Sequence, residues 1–137
     1  MDIIERAKNL KNLIQEYATK SEDKTLAIAT SNYFEEWTQG VYNVGDVRTS
    51  NGKLYECILA HDSTVNTTWD ISVRTLWKPY HSRKAEYALP YEAPTGSHDM
   101  YLNGEYMIWT DGNIYLCKLD TNFNPSEYSG AWEVVNY

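Results

Sequence analysis

The sequence predicts an α+β protein: an N-terminal helical hairpin followed by two small three-stranded antiparallel β modules. Three observations carry this prediction. Apolar residues in the first part of the chain recur at helical spacing. After Trp37 the pattern changes to short alternating runs around Asn-Gly and Asp-Gly turns. That β pattern also occurs twice, and two copies of one pattern mean two units of one design.

In residues 1–33, Ile3, Ala7, Leu10, Ile14 and Tyr17 are spaced by four and three, which puts them on one stripe of a helix. Asp2 can cap this helix, and Glu5 three residues on completes a capping-box pattern. Thr19-Lys20-Ser21 interrupts the stripe. Ser21, with Glu22 and Asp23 behind it, reads as a new N-cap with an acidic first turn. A second helix then runs through Leu26, Ile28 and Ala29 towards Tyr33. The stripe, joined by Ile4 and Leu13, is more apolar surface than that short partner covers. It therefore predicts a homo-oligomer, a dimer or a trimer. The competing arrangement packs the hairpin back on the first module through Tyr33, Phe34 and Trp37.

The first β unit contains Tyr42-Asn43-Val44-Gly45-Asp46, then strands Asp46 to Thr49 and Lys53 to Leu59 about the Asn51-Gly52 turn. Period two puts Tyr55, Cys57 and Leu59 on one face, aimed at a core. A third short strand at Leu76-Trp77-Lys78 completes the unit. The second unit repeats this with Tyr101-Leu102-Asn103-Gly104-Glu105, Tyr106 to Trp109, Asp111-Gly112, Ile114 to Leu119 and Trp132 to Val135. Trp77 and Trp132 end their units and read as core plugs. Between the units, residues 81–99 hold Pro90, Pro94 and Gly96 and read as a stiff linker. The expected division is 1–36 helical attachment and oligomerisation, 37–80 first module, 81–99 linker and 100–137 second module.

Composition narrows the function. Twelve Tyr and five Trp stand against two Phe in 137 residues, and Tyr and Trp are the aromatics that tolerate a half-wet surface. A net charge of −7 opposes nucleic acid or an anionic membrane as partner, since both need a basic face. No apolar run is long enough to span a bilayer, and Met1-Asp2-Ile3-Ile4-Glu5 lacks a secretory-signal pattern. Cys57 and Cys117 occupy the same slot of the two units. They read as buried small residues, with a bridge between modules or metal binding as the alternatives.

Enzyme signatures are missing. Glu35 and Glu36 are adjacent rather than spaced as a glycosidase pair requires. His61 and His98 have no nucleophile motif nearby, and no phosphate loop or calcium-loop pattern occurs. The expectation is no catalytic residue, no cofactor and no metal.

The run Tyr42, Gly45, Asp46, Asn51-Gly52-Lys53, Tyr55, Cys57, Ala60-His61, Ser63, Trp69 and Leu76-Trp77 resembles the chitin-binding modules of carbohydrate-binding families 5 and 12. The second unit, with Ala93-Pro94-Thr95-Gly96-Ser97-His98-Asp99 before Tyr101 and Asn122-Phe123-Asn124-Pro125 before Ala131-Trp132-Glu133, resembles the version in phages of Gram-positive bacteria. The helical pair ahead of such modules is similar to that of small phage tail or fibre proteins. The resemblance implies a virion protein that meets cell-surface polysaccharide and other virion proteins. In such modules the Trp after the His-x-Ser segment is exposed and lies against the sugar. That position is Trp69 here, with Phe123 as its counterpart. The chain departs from the family in lacking a Pro after Trp69 and a tandem Trp pair where Leu59-Ala60 and Leu119-Asp120 stand.

From the residues alone, Trp69 in its polar stretch is either a sugar platform or a lid folded on the core. Trp109, unmatched in the first unit, is a further candidate. A ring covering one pyranose face removes about 100 Å² from water, worth roughly 2–3 kcal/mol before ordering costs. One such site gives millimolar to high-micromolar binding, so multiple copies would supply the avidity.

Overall fold

The computed structural model describes residues 3–20 and 24–135, the side chains of Ile14 and of residues 16–20 excepted. The capping roles expected of Asp2 and of Ser21 to Asp23 lie outside the described residues, as do the side chains of Ile14 and Tyr17 in the apolar stripe.

Helix α1 spans Ile3–Lys20. Its residues Ile3, Ile4, Ala7, Leu10 and Leu13 are exposed, so this part of the stripe covers no core within the chain. The expected second helix is much shorter, so the described residues hold one long helix where two are expected. Helix α2 is a single turn, Thr25–Ala29, followed by a 3-10 turn at Ser31–Tyr33. The break has a local cause. Thr30 turns its hydroxyl onto the Leu26 carbonyl at 2.7 Å, and the Thr-Ser-Asn run competes with the helix for backbone groups. What remains of the second helix packs back on the first β unit. Ala27, Ile28 and Phe34 join Val47, Leu54 and Tyr80 in one buried cluster, with Leu89 against it.

The rest is largely β. Strands β1 (Val41–Tyr42), β2 (Val47–Ser50), β3 (Lys53–Cys57), β4 (His61–Asp62) and β5 (Trp77–Pro79) form the first unit. They make a three-stranded antiparallel sheet β2-β3-β5 and a separate two-stranded ribbon β1-β4. The hairpin closes at Asn51-Gly52, both at positive φ, with Ser50 opposite Lys53. Strand β3 is buried on both faces. Tyr55 and Cys57 meet Tyr42, Ile71, Leu76 and Trp77, while Leu54 faces α2. The expected in-phase Leu59 is exposed, and so is Leu119 in the second unit. The chain leaves the sheet after each Cys, whose thiol donates to the Leu59 carbonyl (3.3 Å) or the Leu119 carbonyl (3.0 Å), so the alternation stops there.

Strands β6 (Leu89–Pro90), β7 (Tyr106–Ile108), β8 (Ile114–Cys117) and β9 (Trp132–Val135) form one four-stranded sheet in that order, rather than three strands. β6 lies parallel to β7. It falls inside the segment read as a linker, and its Pro90 is tolerated because an edge strand can spare an amide donor. The first unit holds the same piece: Glu36 bridges Thr49 in parallel. Trp37 N–H donates to Thr49 O at 2.9 Å, as Tyr91 N–H does to Ile108 O at 2.9 Å.

The remaining correspondences are close. Thr38 N–H reaches Tyr42 Oη at 3.2 Å, and Glu92 N–H reaches Tyr101 Oη at 3.1 Å. Gly45 and Gly104 both sit at φ +96°, with amides donating to Cys57 O (2.9 Å) and Cys117 O (2.8 Å). The acid that follows each glycine, Asp46 or Glu105, accepts from the Asn43 amide (2.8 Å) or the Leu102 amide (2.7 Å). This explains the Tyr-x-x-Gly-acid motif: a left-handed turn closed by a carboxylate. Tyr101, Met107, Cys117, Ala131 and Trp132 make the second unit's core, separate from that of the first. Trp77 (0% exposed) and Trp132 (7%) are the plugs the sequence predicts. Both cysteines are buried and free.

Residues 81–99 also tie the units together. The Glu92 carboxylate accepts the Tyr55 hydroxyl and lies 3.5 Å from both Lys53 Nζ and Arg74 Nη2. His98 Nε2 is 3.0 Å from the Arg74 carbonyl. Pro90 of this segment lies in strand β6, so the segment is part of packed structure rather than a spacer.

Candidate functional site

Trp69 lies on the long connection between β4 and β5. Three short polar turns, four residues apart, shape it. Asp62 Oδ1 accepts from Thr64 N–H at 2.9 Å, Asn66 Oδ1 from Thr68 N–H at 3.0 Å, and Asp70 Oδ1 from Ser72 N–H at 2.8 Å. The hydroxyl of Thr64, Thr68 or Ser72 binds the same oxygen in each case. Such turns fix a loop without a hydrophobic core of its own. They also hold the Asp62 carboxyl below the usual carboxylate range, chiefly through the Thr64 hydroxyl and then its amide.

Ile71, two residues after Trp69, is buried in the core of the first unit, and Arg74 Nη1 donates to the Ile71 carbonyl at 2.7 Å. The backbone on which Trp69 stands is therefore anchored on both sides. Trp69 itself is 38% exposed and belongs to none of the buried clusters. Its ring is not a closed lid on the core.

Phe123 occupies the matching place in the second unit. It too directly precedes a polar turn, in which Asn124 Oδ1 accepts from Ser126 N–H at 2.9 Å. Glu127 N–H reaches Asn124 O at 3.1 Å, as Val73 N–H reaches Asp70 O at 3.1 Å. Phe123 is 52% exposed, and its carbonyl accepts the indole N–H of Trp132 at 3.0 Å. The core plug thus holds the loop that displays the ring.

Trp109 is placed differently. It closes the Asp111-Gly112 hairpin, with N–H to Asn113 O at 3.0 Å, and packs edge-on against Tyr91 at 5.1 Å and 82°. It is half-buried against the second core and is not brought together with Phe123 by any contact among the described residues. Rings at right angles offer no shared flat face for a sugar.

Two concavities lie elsewhere. A 410 Å³ cleft runs between α1 and the Gly45–Arg48 turn, and a 150 Å³ cavity sits at the seam between the units. Neither is lined by Trp69, Phe123 or Trp109. The exposed rings stand on open surface, which suits a polymer passing over the protein.

His61 lies with Nδ1 2.7 Å from Leu59 O and packs edge-on to Trp77. Among the described residues no cluster of His, Cys, Asp and Glu could hold a metal ion, and no helix is long and apolar enough to cross a membrane.

The seam residues Tyr80, His81, Arg83 and Glu92 carry no motif, and the sequence reading passed over them. The one available signal was that the polar residues of 81–99 are too many and too varied for a simple spacer.

No curated protein matches the chain. Residues 36–78, from the parallel bridge at Glu36 through Lys78 in β5, match the family model of carbohydrate-binding module family 5/12, which supports a carbohydrate-binding module over this stretch.

Proposed function

We propose that this protein is a non-catalytic glycan-binding component of a phage particle, with Trp69 and Phe123 as its sugar-contact rings and Trp109 as a lesser contact. The observation that carries the reading is Trp69. It is a large ring, exposed on a pre-shaped loop, inside the stretch that matches a carbohydrate-binding family. Pre-shaping matters because a weak platform loses least when little must be ordered on binding. The second unit repeats the hydrogen-bond plan and acts as a second, weaker module. The ligand class is host cell-surface polysaccharide.

The virion assignment rests on the sequence resemblance. The exposed apolar residues of α1 support attachment through that helix, as a dimer or trimer or against another virion protein. A particle carries many copies, and avidity from them compensates for a millimolar single site.

Binding to insoluble cell walls of Gram-positive bacteria tests this. Trp69→Ala should retain the wild-type melting temperature and weaken retention on cell walls about tenfold or more, the equivalent of losing most of one ring–sugar contact. Phe123→Ala should give a smaller loss. A large drop in stability with unchanged binding would make Trp69 a structural residue. Retention of neither the wild type nor the variants would leave structural decoration of the particle as the reading.

A further inference from the structure

Where the first unit meets the second, two buried side chains are incompletely satisfied. Tyr80 is 2% exposed and the His81 side chain 8%. Neither Tyr80 Oη nor His81 Nε2 has a hydrogen-bond partner. Buried polar groups left unpaired are unfavourable and uncommon. Both residues line the same cavity of about 150 Å³, together with Lys24, Lys78, Arg83, Asp99 and Glu105.

The surrounding geometry fixes what the cavity offers. His81 stacks flat on Tyr101, centroids 3.8 Å apart and planes 4° from parallel. Its Nδ1 lies 3.1 Å from Glu105 Oε1, an oxygen that also takes the Leu102 amide at 2.7 Å. A carboxylate acceptor requires the proton on Nδ1, so ring tilt, rotation and tautomer are set and Nε2 is the free end. Burial pushes the Tyr80 hydroxyl well above the usual tyrosine range, so it stays protonated and is available as a donor.

The charges follow the same logic. Asp99 is engaged by the Thr95 amide (2.9 Å) and the Gly96 amide (3.0 Å), and Glu105 by His81 and Leu102. Lys78 faces Glu56 at 3.5 Å. Lys24 Nζ sits 5.3 Å over the Tyr80 ring. Arg83 is held through its own amide, which donates to Thr25 Oγ1 at 2.9 Å. Its guanidinium lies against Gly104, where an added Cβ would meet Nη1 at 3.2 Å. Asp99 and Glu105 thus accept local amides, and Arg83 brings a cationic group to the cavity wall in a chain of net charge −7.

We propose that this seam cavity binds one oxyanion, a carboxylate or a phosphate group, with Arg83 as its charge partner and Tyr80 and His81 as its hydrogen-bonding groups. The bound anion accepts from Tyr80 Oη–H and from an imidazole that carries a proton on each nitrogen, Glu105 taking the other N–H. The group belongs to an acidic sugar or to a phosphorylated one. This proposal does not depend on Trp69 binding sugar.

The test is a titration of full-length protein with ¹⁵N-labelled histidine, at neutral pH and constant ionic strength. The probes are glucose, glucuronate and glucose 6-phosphate. The expected result is a saturable shift of His81 Nε2 with one or both anions and none with glucose. Arg83→Gln should weaken the response about tenfold, the loss of one charge-assisted contact. Tyr80→Phe should weaken it as well, and Trp69→Ala should leave it unchanged. A response to glucuronate alone assigns the carboxylate, and one to the phosphate ester alone assigns the phosphoryl group. No shift with either anion, an equal shift with glucose, or an undiminished response in Arg83→Gln would overturn the proposal.

Discussion

The two core tryptophans allow one substitution to be made twice, in equivalent places with unequal polar surroundings. Trp77 and Trp132 fill the same slot, each opposite its unit's cysteine across the last strand pair. Both are buried, so the packing lost on replacing indole by a phenyl ring is similar and largely cancels in the comparison. Their N–H groups differ. Trp132 Nε1 donates to Phe123 O at 3.0 Å, whereas Trp77 Nε1 is buried with no partner. Trp132→Phe removes a hydrogen bond worth about 1 kcal/mol, while Trp77→Phe removes an unpaired donor and recovers about 1–3 kcal/mol of desolvation.

The difference should be about 2 kcal/mol, with Trp132→Phe the costlier. The low end of the range applies because water can reach the exposed Phe123 loop once the indole is gone. At this chain length that is roughly 6–10 °C in melting temperature. Urea unfolding measures the totals, and hydrogen exchange at the Cys57 and Cys117 amides, which donate to Asp46 O and Glu105 O at 2.8 Å, reports each unit separately. Equal costs, or a greater cost for Trp77→Phe, would refute the pairing argument. Trp132→Phe should also loosen the Phe123 loop and weaken any sugar contact it makes.

Stability should fall in alkali. Burial holds the Cys117 thiol up at about 11 and the Tyr91 hydroxyl at about 12, and it raises Tyr55, Tyr80 and Tyr101 further. The unfolded chain ionises these groups from about 9 upward. Their contribution is therefore complete at neutral pH, begins to be lost above about 9 and is still falling at the alkaline extreme. A urea midpoint that stays flat from pH ~8 to ~11 would contradict this, as would ready alkylation of either cysteine in the native protein. The exposed helix α1 gives a separate test. Leu10→Lys with Leu13→Lys should convert an oligomer to a monomer by light scattering without changing the β units, and a monomeric wild type would end the oligomer reading.

The sequence by itself determined the local elements. Asn51-Gly52 and Asp111-Gly112 marked the hairpin turns, where Asn51, Gly52 and Gly112 take left-handed backbone. The repeated Tyr-x-x-Gly-acid and late Trp placed equivalent turns and plugs, whereas the polar run around Trp69 left platform and lid both open. These are short-range effects, written in consecutive side chains.

What the tertiary structure decided was everything that depends on partners distant in the chain. Leu89-Pro90 has no strand pattern and pairs only because β7 lies beside it, so the second unit begins at Leu89 rather than at residue 100. The second helix ends after a single turn, and only the folded chain shows its Ala27 and Ile28 packed with Leu54 and Tyr80. The seam at Tyr80, His81, Arg83 and Glu92 carries no motif. Burial of Tyr80 and His81, with Tyr80 Oη and His81 Nε2 left unpaired, depends on how the two units pack.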